Sequence, residues 1–368
     1  MTKLHAPVET SEEKQEHKAT YEAAWPNQSD SHPSGTQKKS WLPKPLLFLV
    51  IAGGIVIVAP TKSLWGKGQE EQNQQWLEKA KDFHENEQYA KAVEWTRKAA
   101  EQGNAKGQLL LGFLYQRGEG VREDDAKAIK WFRKAADQGH AKGQFLLGEL
   151  YYRGYGVRQD YAKASEWIRK AAKQRMADAQ YQLGIMYYNG EGVSQNNSKA
   201  IDWIAKAAEQ GLALAQFTLG SMYKNGPLLQ DNAKAIEWFR KAAEQGREDA
   251  QYKLGLMYAK GEGIRQNDPN AGEWLRKAAE KGNADAQYKL GLMYYKGEGI
   301  QQDDAKAIEW FRKAADQRMA DAQYKLGVMY ANGYGVRQDD VKAVEWFRKA
   351  DSRGHAKAGA KVREMSGE

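Results

Sequence analysis

The chain has no cysteine in its 368 residues. Disulfides, zinc–thiolate sites and thiol catalysis are excluded with it, although compartment is not decided by that absence. Other chemical patterns are missing too. The six histidines, His5, His17, His32, His84, His140 and His355, show no ligand spacing and no HExxH motif, so no metal site is expected. Paired acids such as Asp124/Asp125 and Asp303/Asp304 lack the alternating oxygen ligands, ending in Glu, of a calcium loop. The recurrent GxG loops neither continue into GK[ST] nor follow a strand, so they are read as turns rather than phosphate cradles. No Ser-His-Asp set stands out. The chain is therefore expected to carry no catalytic residue and no cofactor, and not to be an enzyme.

Long apolar runs are also missing, with one exception. In WLPKPLLFLVIAGGIVIVAPTKSLWGK no charge falls between Lys44 and Lys62, a gap of seventeen residues. That is the short end of the roughly 17–25 residues needed by a membrane-spanning helix. Trp41 and Trp65 bracket the run as interfacial anchors. The long polar region before it, and Pro60 directly after Ala59, argue against a cleaved signal peptide. The expectation is one transmembrane helix over residues 41–65 after a disordered tail over residues 1–40. Lys38, Lys39 and Lys44 against Lys62 and Lys67 lean toward a cytoplasmic N-terminus. The protein would then be single-pass in the inner (plasma) membrane of a bacterium, with the larger part periplasmic.

What is abundant is one repeated unit. A Leu-Gly pair places its glycine at Gly112, Gly148, Gly184, Gly220, Gly255, Gly291 and Gly327, in steps of 36 apart from a single 35. A tryptophan follows the same steps at Trp131, Trp167, Trp203, Trp238, Trp274, Trp310 and Trp346. Each unit is predicted as two helices: A-x-A-Q-Y-x-L-G-x-M-Y, then a G-x-G-V linker with a capping Asp or Asn, then A-K-A-x-E-W-F-R-K-A-A. On a wheel of the last, Ala307, Ile308, Trp310, Phe311, Ala314 and Ala315 share one arc, and the charged residues oppose it. No unit can bury that arc alone. Acid-then-lysine pairs at i,i+4, such as Glu309/Lys313 and Glu237/Lys241, place much of the basic charge on solvated faces. The net charge of +8 therefore gives little reason to expect nucleic-acid binding.

The spacing and the motifs LGxMY, GxGV and AKAxEWFRKAA resemble the Sel1-like repeat family, relatives of the tetratricopeptide repeats, over residues 104–354. The half-unit YAKAVEWTRKAAEQG is more similar to an ordinary tetratricopeptide second helix. The resemblance implies an all-α, right-handed α-solenoid of seven repeats, with a linker and capping half-repeat over 66–103 and a capping helix and tail over 355–368. It implies an adaptor that holds a protein partner in a groove lined by the first helices. A second role implied by some Sel1-like proteins is periplasmic immunity against a secreted toxin such as a lipase effector.

Function is expected where the units differ. On the third unit's wheel Asp178, Gln182, Ile185 and Asn189 form a variable stripe, with Tyr181 and Tyr188 at its edge. In the last three units the corresponding stripe reads Asp249/Lys253/Leu256/Lys260, Asp285/Lys289/Leu292/Lys296 and Asp321/Lys325/Val328/Asn332. In the first two it reads Lys106/Leu110/Phe113/Arg117 and Lys142/Leu146/Glu149/Arg153. Leu110, Phe113 and Leu146 are expected to be exposed and ringed by basic residues. With Arg117, Glu149, Tyr152, Arg153, Ile185 and Tyr188 they form a candidate site for an apolar, acidic partner segment. The alternative is that these apolar residues, Leu110 above all, pack under the Trp76–Phe83 half-unit that caps the array. The fourth linker, NGPLLQD, is one residue short and lacks its second glycine, which predicts a local change of course.

Overall fold

The computed structural model describes residues 49–51, 54–56, 62–226, 229–263, 266 and 268–367, and the chain divides into two compact units at Gln195/Asn196. The tail expected over residues 1–40 lies outside the described residues, as does most of the expected membrane helix. Of what is described of that helix, Lys62–Trp65 are helical, as the start of a longer helix, and the remainder is not. Strands β1 (Leu49–Ile51) and β2 (Gly54–Val56) pair antiparallel, Leu49 opposite Val56 and Val50 opposite Ile55. No helix among the described residues is long and apolar enough to cross a membrane. Strands thus stand over residues 49–51 and 54–56 where a helix was expected, and the rest of residues 41–61 lies outside the described residues. The physical reason lies in the run itself: Gly53-Gly54 interrupts it, and the flanking Val50, Ile51, Ile55 and Val56 are β-branched.

From Lys62 onward the chain is helical. The first unit holds α1 (Lys62–Glu85), α2 (Tyr89–Glu101), α3 (Ala105–Arg117), α4 (Asp125–Asp137), α5 (Ala141–Arg153), α6 (Tyr161–Lys173) and α7 (Ala177–Asn189). The second unit holds α8 (Asn197–Glu209), α9 (Ala213–Asn225), α10 (Asn232–Glu244), α11 (Glu248–Lys260), α12 (Asp268–Glu280), α13 (Ala284–Lys296), α14 (Asp304–Asp316), α15 (Ala320–Asn332), α16 (Asp340–Asp351) and α17 (Ala358–Ser366). Within each unit every helix packs on the next, which makes each an α-solenoid. The odd-numbered helices α3 to α15 carry the Leu-Gly pair. The even-numbered helices α4 to α16 carry the tryptophan.

Boundaries follow from side chains read in the sequence. Asp124, Asp160, Asn196, Asp231, Asp303 and Asp339 cap the second helices, each accepting a bond from a backbone N–H three residues on at 2.9–3.0 Å. Those amide bonds hold the carboxyls of Asp124, Asp160, Asp303 and Asp339 below the usual carboxylate range. First helices end on a left-handed glycine such as Gly118 (φ 67°) or Gly297 (φ 73°). The exception is α9, whose last turn meets Gly226 in an extended conformation (φ −73°, ψ 143°), so the irregular fourth linker does leave its helix differently.

Inside a hairpin the first helix approaches the second at the repeated glycine. A Cβ at Gly112 would fall 2.5 Å from the Phe132 ring, and one at Gly291 would fall 2.7 Å from Phe311. Ile168 lies likewise on Gly148 and Leu275 on Gly255. The residue after each tryptophan is thus the fully buried one: Phe132, Ile168, Ile204, Phe239, Phe311 and Phe347 are at most 1 % exposed. The tryptophans are half-buried. Trp131 packs on Val93, Leu111 and Leu114, Trp274 on the α10–α11 core, and Trp310 on Leu275, Leu290 and Met293. The lysine three residues on lies over each ring, as Lys170 does at 3.9 Å from Trp167.

Buried glutamines tie hairpin to hairpin. Gln144 donates to the Ala136 carbonyl at 3.2 Å, and its Oε1 accepts from Gln174 Nε2 at 2.8 Å; Gln174 Nε2 also bonds the Gly139 carbonyl at 2.8 Å. Gln287 and Gln317 repeat the arrangement, with the Gly282 carbonyl. Where the second glutamine is replaced the ladder breaks. Lys281 still reaches the Gly246 carbonyl at 2.5 Å, but the buried Oε1 of Gln251 is left without a partner. Arg353 stands at the same position for Gln323, whose Oε1 is also orphaned. Restoring the rung should stabilise the chain. Lys281→Gln is expected to raise the urea midpoint by about 1 kcal/mol equivalent, whereas Lys281→Met, which removes the lysine without supplying the amide, is expected not to.

Candidate partner-binding face

The variable stripe of α3, α5 and α7 lies within the first unit, and the structure divides its members. Leu110 is 1 % exposed and packs with Leu77, Ala99 and Trp76. Phe113 is 4 % exposed and meets Phe132 edge-on at 5.2 Å, and Ile185 is 6 % exposed. These three are corrected from exposed site residues to core. The cause for Leu110 is the capping hairpin α1–α2, the alternative left open by the sequence. Phe113 stands directly after the close-packing glycine Gly112. Arg117, Leu146, Glu149, Tyr152, Arg153 and Tyr188 remain half-buried at the surface.

Glu149 occupies the position that Phe113 and Ile185 fill in the neighbouring units. An acid there sits where apolar side chains are buried, with 19 % of its side chain exposed. Its Oε2 accepts from Arg153 Nε at 3.3 Å, and its Oε1 is buried with no hydrogen-bond partner. Burial pushes this carboxyl up, Asp178 pushes it further, and Arg153 opposes both. Burial also lowers Lys142, against the pull of Asp178, and lowers His140, which Lys142 and Lys106 reinforce. His140 caps α5, its Nδ1 accepting from the Gly143 N–H at 3.3 Å. Tyr152 donates its hydroxyl to Glu191 Oε2 at 2.7 Å and meets Tyr161 edge-on at 5.2 Å; burial, the first cause, and Glu191 raise its pKa.

Glu191 was not among the residues expected to matter, because its GEG loop reads as a turn. Its role has a signal, though: an acid recurs between linker glycines. Glu119 accepts from His84 Nε2 at 2.8 Å across 35 residues, and Glu262 pairs with Lys224 across 38. The linker acid ties one hairpin to the preceding one. Glu119 is held below its usual range, first by the His84 hydrogen bond. Among the described residues no group of three or more His, Cys, Asp and Glu could hold a metal ion.

A family model described as Sel1 repeat matches residues 86–104, 105–140, 141–175, 177–212, 213–246, 248–283, 284–318 and 320–355. A Sel1 repeat protein from Oxalobacter formigenes is similar at 36 % identity and a TM-score of 0.63, over 83 % of this chain and 92 % of that one. The protein c5321, a protective antigen of uropathogenic Escherichia coli with an SLR fold, is similar at 34 % identity and a TM-score of 0.52, over 83 % and 74 %. No curated protein matches the chain significantly.

The Glu149 environment makes a pH-dependent claim. The unfolded carboxyl titrates at its ordinary value and the folded one higher, so the folded state holds the proton more tightly. Its contribution to stability is present below the ordinary carboxylate value and is lost as pH rises through the folded one. Glu149→Gln keeps an acceptor for Arg153 and removes the titration. The variant is expected to unfold at higher urea than the parent at neutral pH, with the gain shrinking toward zero near about pH 4. A gain independent of pH would mean that Glu149 ionises as an ordinary surface acid.

Proposed function

The chain belongs to the Sel1 repeat family, and from that premise we propose that it is a scaffold that binds a protein partner on the α3–α5–α7 face. The observation that supports this reading is where the repetition stops. Core positions are nearly invariant from unit to unit, because each must fit a neighbour. The surface stripe changes sign and size, and in α5 it carries a buried acid beside Arg153, Tyr152, Lys142 and Leu146. An adaptor needs such a face and no reacting group. With Leu110, Phe113 and Ile185 in the core, Leu146 is the apolar anchor that remains. The partner surface is then a polar one of mixed charge, whose donors satisfy Glu149 and whose acids meet Lys142 and Arg153.

Membrane attachment with the repeats in the periplasm rests on the uncharged run between Lys44 and Lys62, flanked by Trp41 and Trp65. An alkaline phosphatase fusion after Gly354 tests that location: active enzyme supports it and inactive, cytoplasmic enzyme removes it. Nothing on the α5 face selects a toxin over other protein partners, so the immunity role is not carried further.

The scaffold reading is tested by photo-crosslinking in the host cell. Benzoylphenylalanine at Leu146 is expected to trap a discrete partner, and the same probe at Glu166, on the solvated face of α6, is expected not to. Arg153→Glu should lower the Leu146 adduct about tenfold with unchanged helical circular dichroism. Equal trapping at both positions, or none at Leu146, would remove the face from consideration.

A further inference from the structure

The second unit carries a tyrosine row that the scaffold reading does not use. Tyr252, Tyr288 and Tyr324 occupy one position in α11, α13 and α15. In the first two cases an aspartate of the following first helix lies close enough to act on the ring. Burial raises the Tyr252 hydroxyl and Asp285 adds to it; burial raises Tyr288 and Asp321 adds to it. Each aspartate stands 33 residues after its tyrosine. The same step from Tyr324 reaches Lys357.

The backbone changes with the residue. Helices α11, α13 and α15 each begin ahead of their aspartate, but α17 begins only at Ala358, so Lys357 stays outside it. Beside this delayed start lies an open cavity of about 420 Å³ lined by Tyr288, Asp321, Tyr324, Lys325, His355 and Lys357 among others. His355 closes one side. Its ring stacks on Tyr324 with centroids 4.1 Å apart and planes 16° apart, and its Nε2 lies 3.4 Å from Asp321 Oδ1. The one acid of the lining is thus already engaged by His355. Lys325 and Lys357 have no ion pair among the described residues, and Lys325 lies 5.8 Å from the Tyr295 ring.

We propose that this cavity binds an acidic segment of a protein partner, a Glu or Asp side chain of the segment occupying the place that the missing aspartate of a further repeat would take. The carboxylate meets Lys325 and Lys357 at the rim, and the methylenes of the segment lie beside Tyr288 and the His355–Tyr324 stack. The argument is one of charge complementarity and shape together. The array supplies an acid to the tyrosine at every earlier step of this unit, and at the last step it supplies two cations and a space. The site is separate from the α5 face and does not depend on the reading given to that face.

The test uses the full chain and N-acetylated hexaglutamate as the probe, at low salt, with hexaglutamine and sodium acetate as comparison probes. The reporter is the His355 ring resonance in a sample labelled at histidine, assigned by its loss in His355→Asn. Hexaglutamate is expected to shift that resonance saturably while hexaglutamine leaves it in place. The paired substitutions Lys325→Glu and Lys357→Glu should weaken the titration at least about tenfold. Tyr324→Leu, which keeps the charges, should weaken it as well. Lys106→Glu, in the first unit, should not. The proposal is overturned by a shift equal for both peptides, by one that survives the paired charge reversal, or by an unshifted His355. A titration by acetate as tight as that by hexaglutamate would also overturn it, because the site would then take a small anion and not a segment.

Discussion

In hairpin after hairpin a large side chain of the second helix lies on a glycine of the first: Phe132 on Gly112, Ile168 on Gly148, Phe239 on Gly220, Leu275 on Gly255, Phe311 on Gly291, Phe347 on Gly327. The geometry leaves no room for a methyl group at the glycine. Closeness of the two helices and full burial of the aromatic are one event, worth about 2–3 kcal/mol of apolar transfer per ring. Alanines on both sides of that contact, such as Ala307, Ala314 and Ala315, are buried because the helices come this near. Helices of thirteen residues are marginal alone in water. The glycine contact is what allows such short helices to bury a continuous core.

The rest of the interior follows from that spacing. Once two helices are so close, the polar glutamine between hairpins cannot reach water and must find partners in the protein. Gln144 and Gln287 find theirs in a neighbouring carbonyl and in the glutamine of the next second helix. The ladder fixes how hairpins follow one another, since a slip would orphan every rung at once. The linker acids Glu119, Glu191 and Glu262 add the same kind of tie on the outside. Register is therefore set by hydrogen bonds and closeness by glycine. Neither constraint reaches the exposed stripe, which is left to vary.

This division explains what could be read before the coordinates. Period, caps, glycine turns and the two-helix unit were legible because each depends on residues close in sequence. Asp303 caps its helix as its spacing implies, and Gly297 turns the chain as its place in the motif requires. Burial at the edge of the stripe was not legible, because it depends on which hairpin lies next door. A wheel places Phe113, Glu149 and Ile185 at one angle, yet only the presence of a flanking hairpin makes that angle interior. Leu110 faces outward in a single repeat and inward once Trp76 and Leu77 cover it. The strands found over residues 49–51 and 54–56, inside the helix expected over 41–65, have a related reason. Hydropathy measured over a window does not register the Gly53-Gly54 break or the β-branched residues beside it.

A periodic array satisfies its own side chains except at its ends, and the two ends here are closed differently. At the N-terminal end α1 supplies apolar cover to Leu110. At the C-terminal end Val362 and Met365 of α17 pack on the core of Tyr330, Ala343 and Phe347. That cap continues the apolar layer but not the row of aspartates beside the tyrosines. At the step that brings Asp285 to Tyr252 and Asp321 to Tyr288, Tyr324 meets Lys357 instead. A cap selected only to hide apolar surface would need neither a lysine at position 357 nor a histidine stacked on the last tyrosine. Both residues line the cavity beside Tyr324.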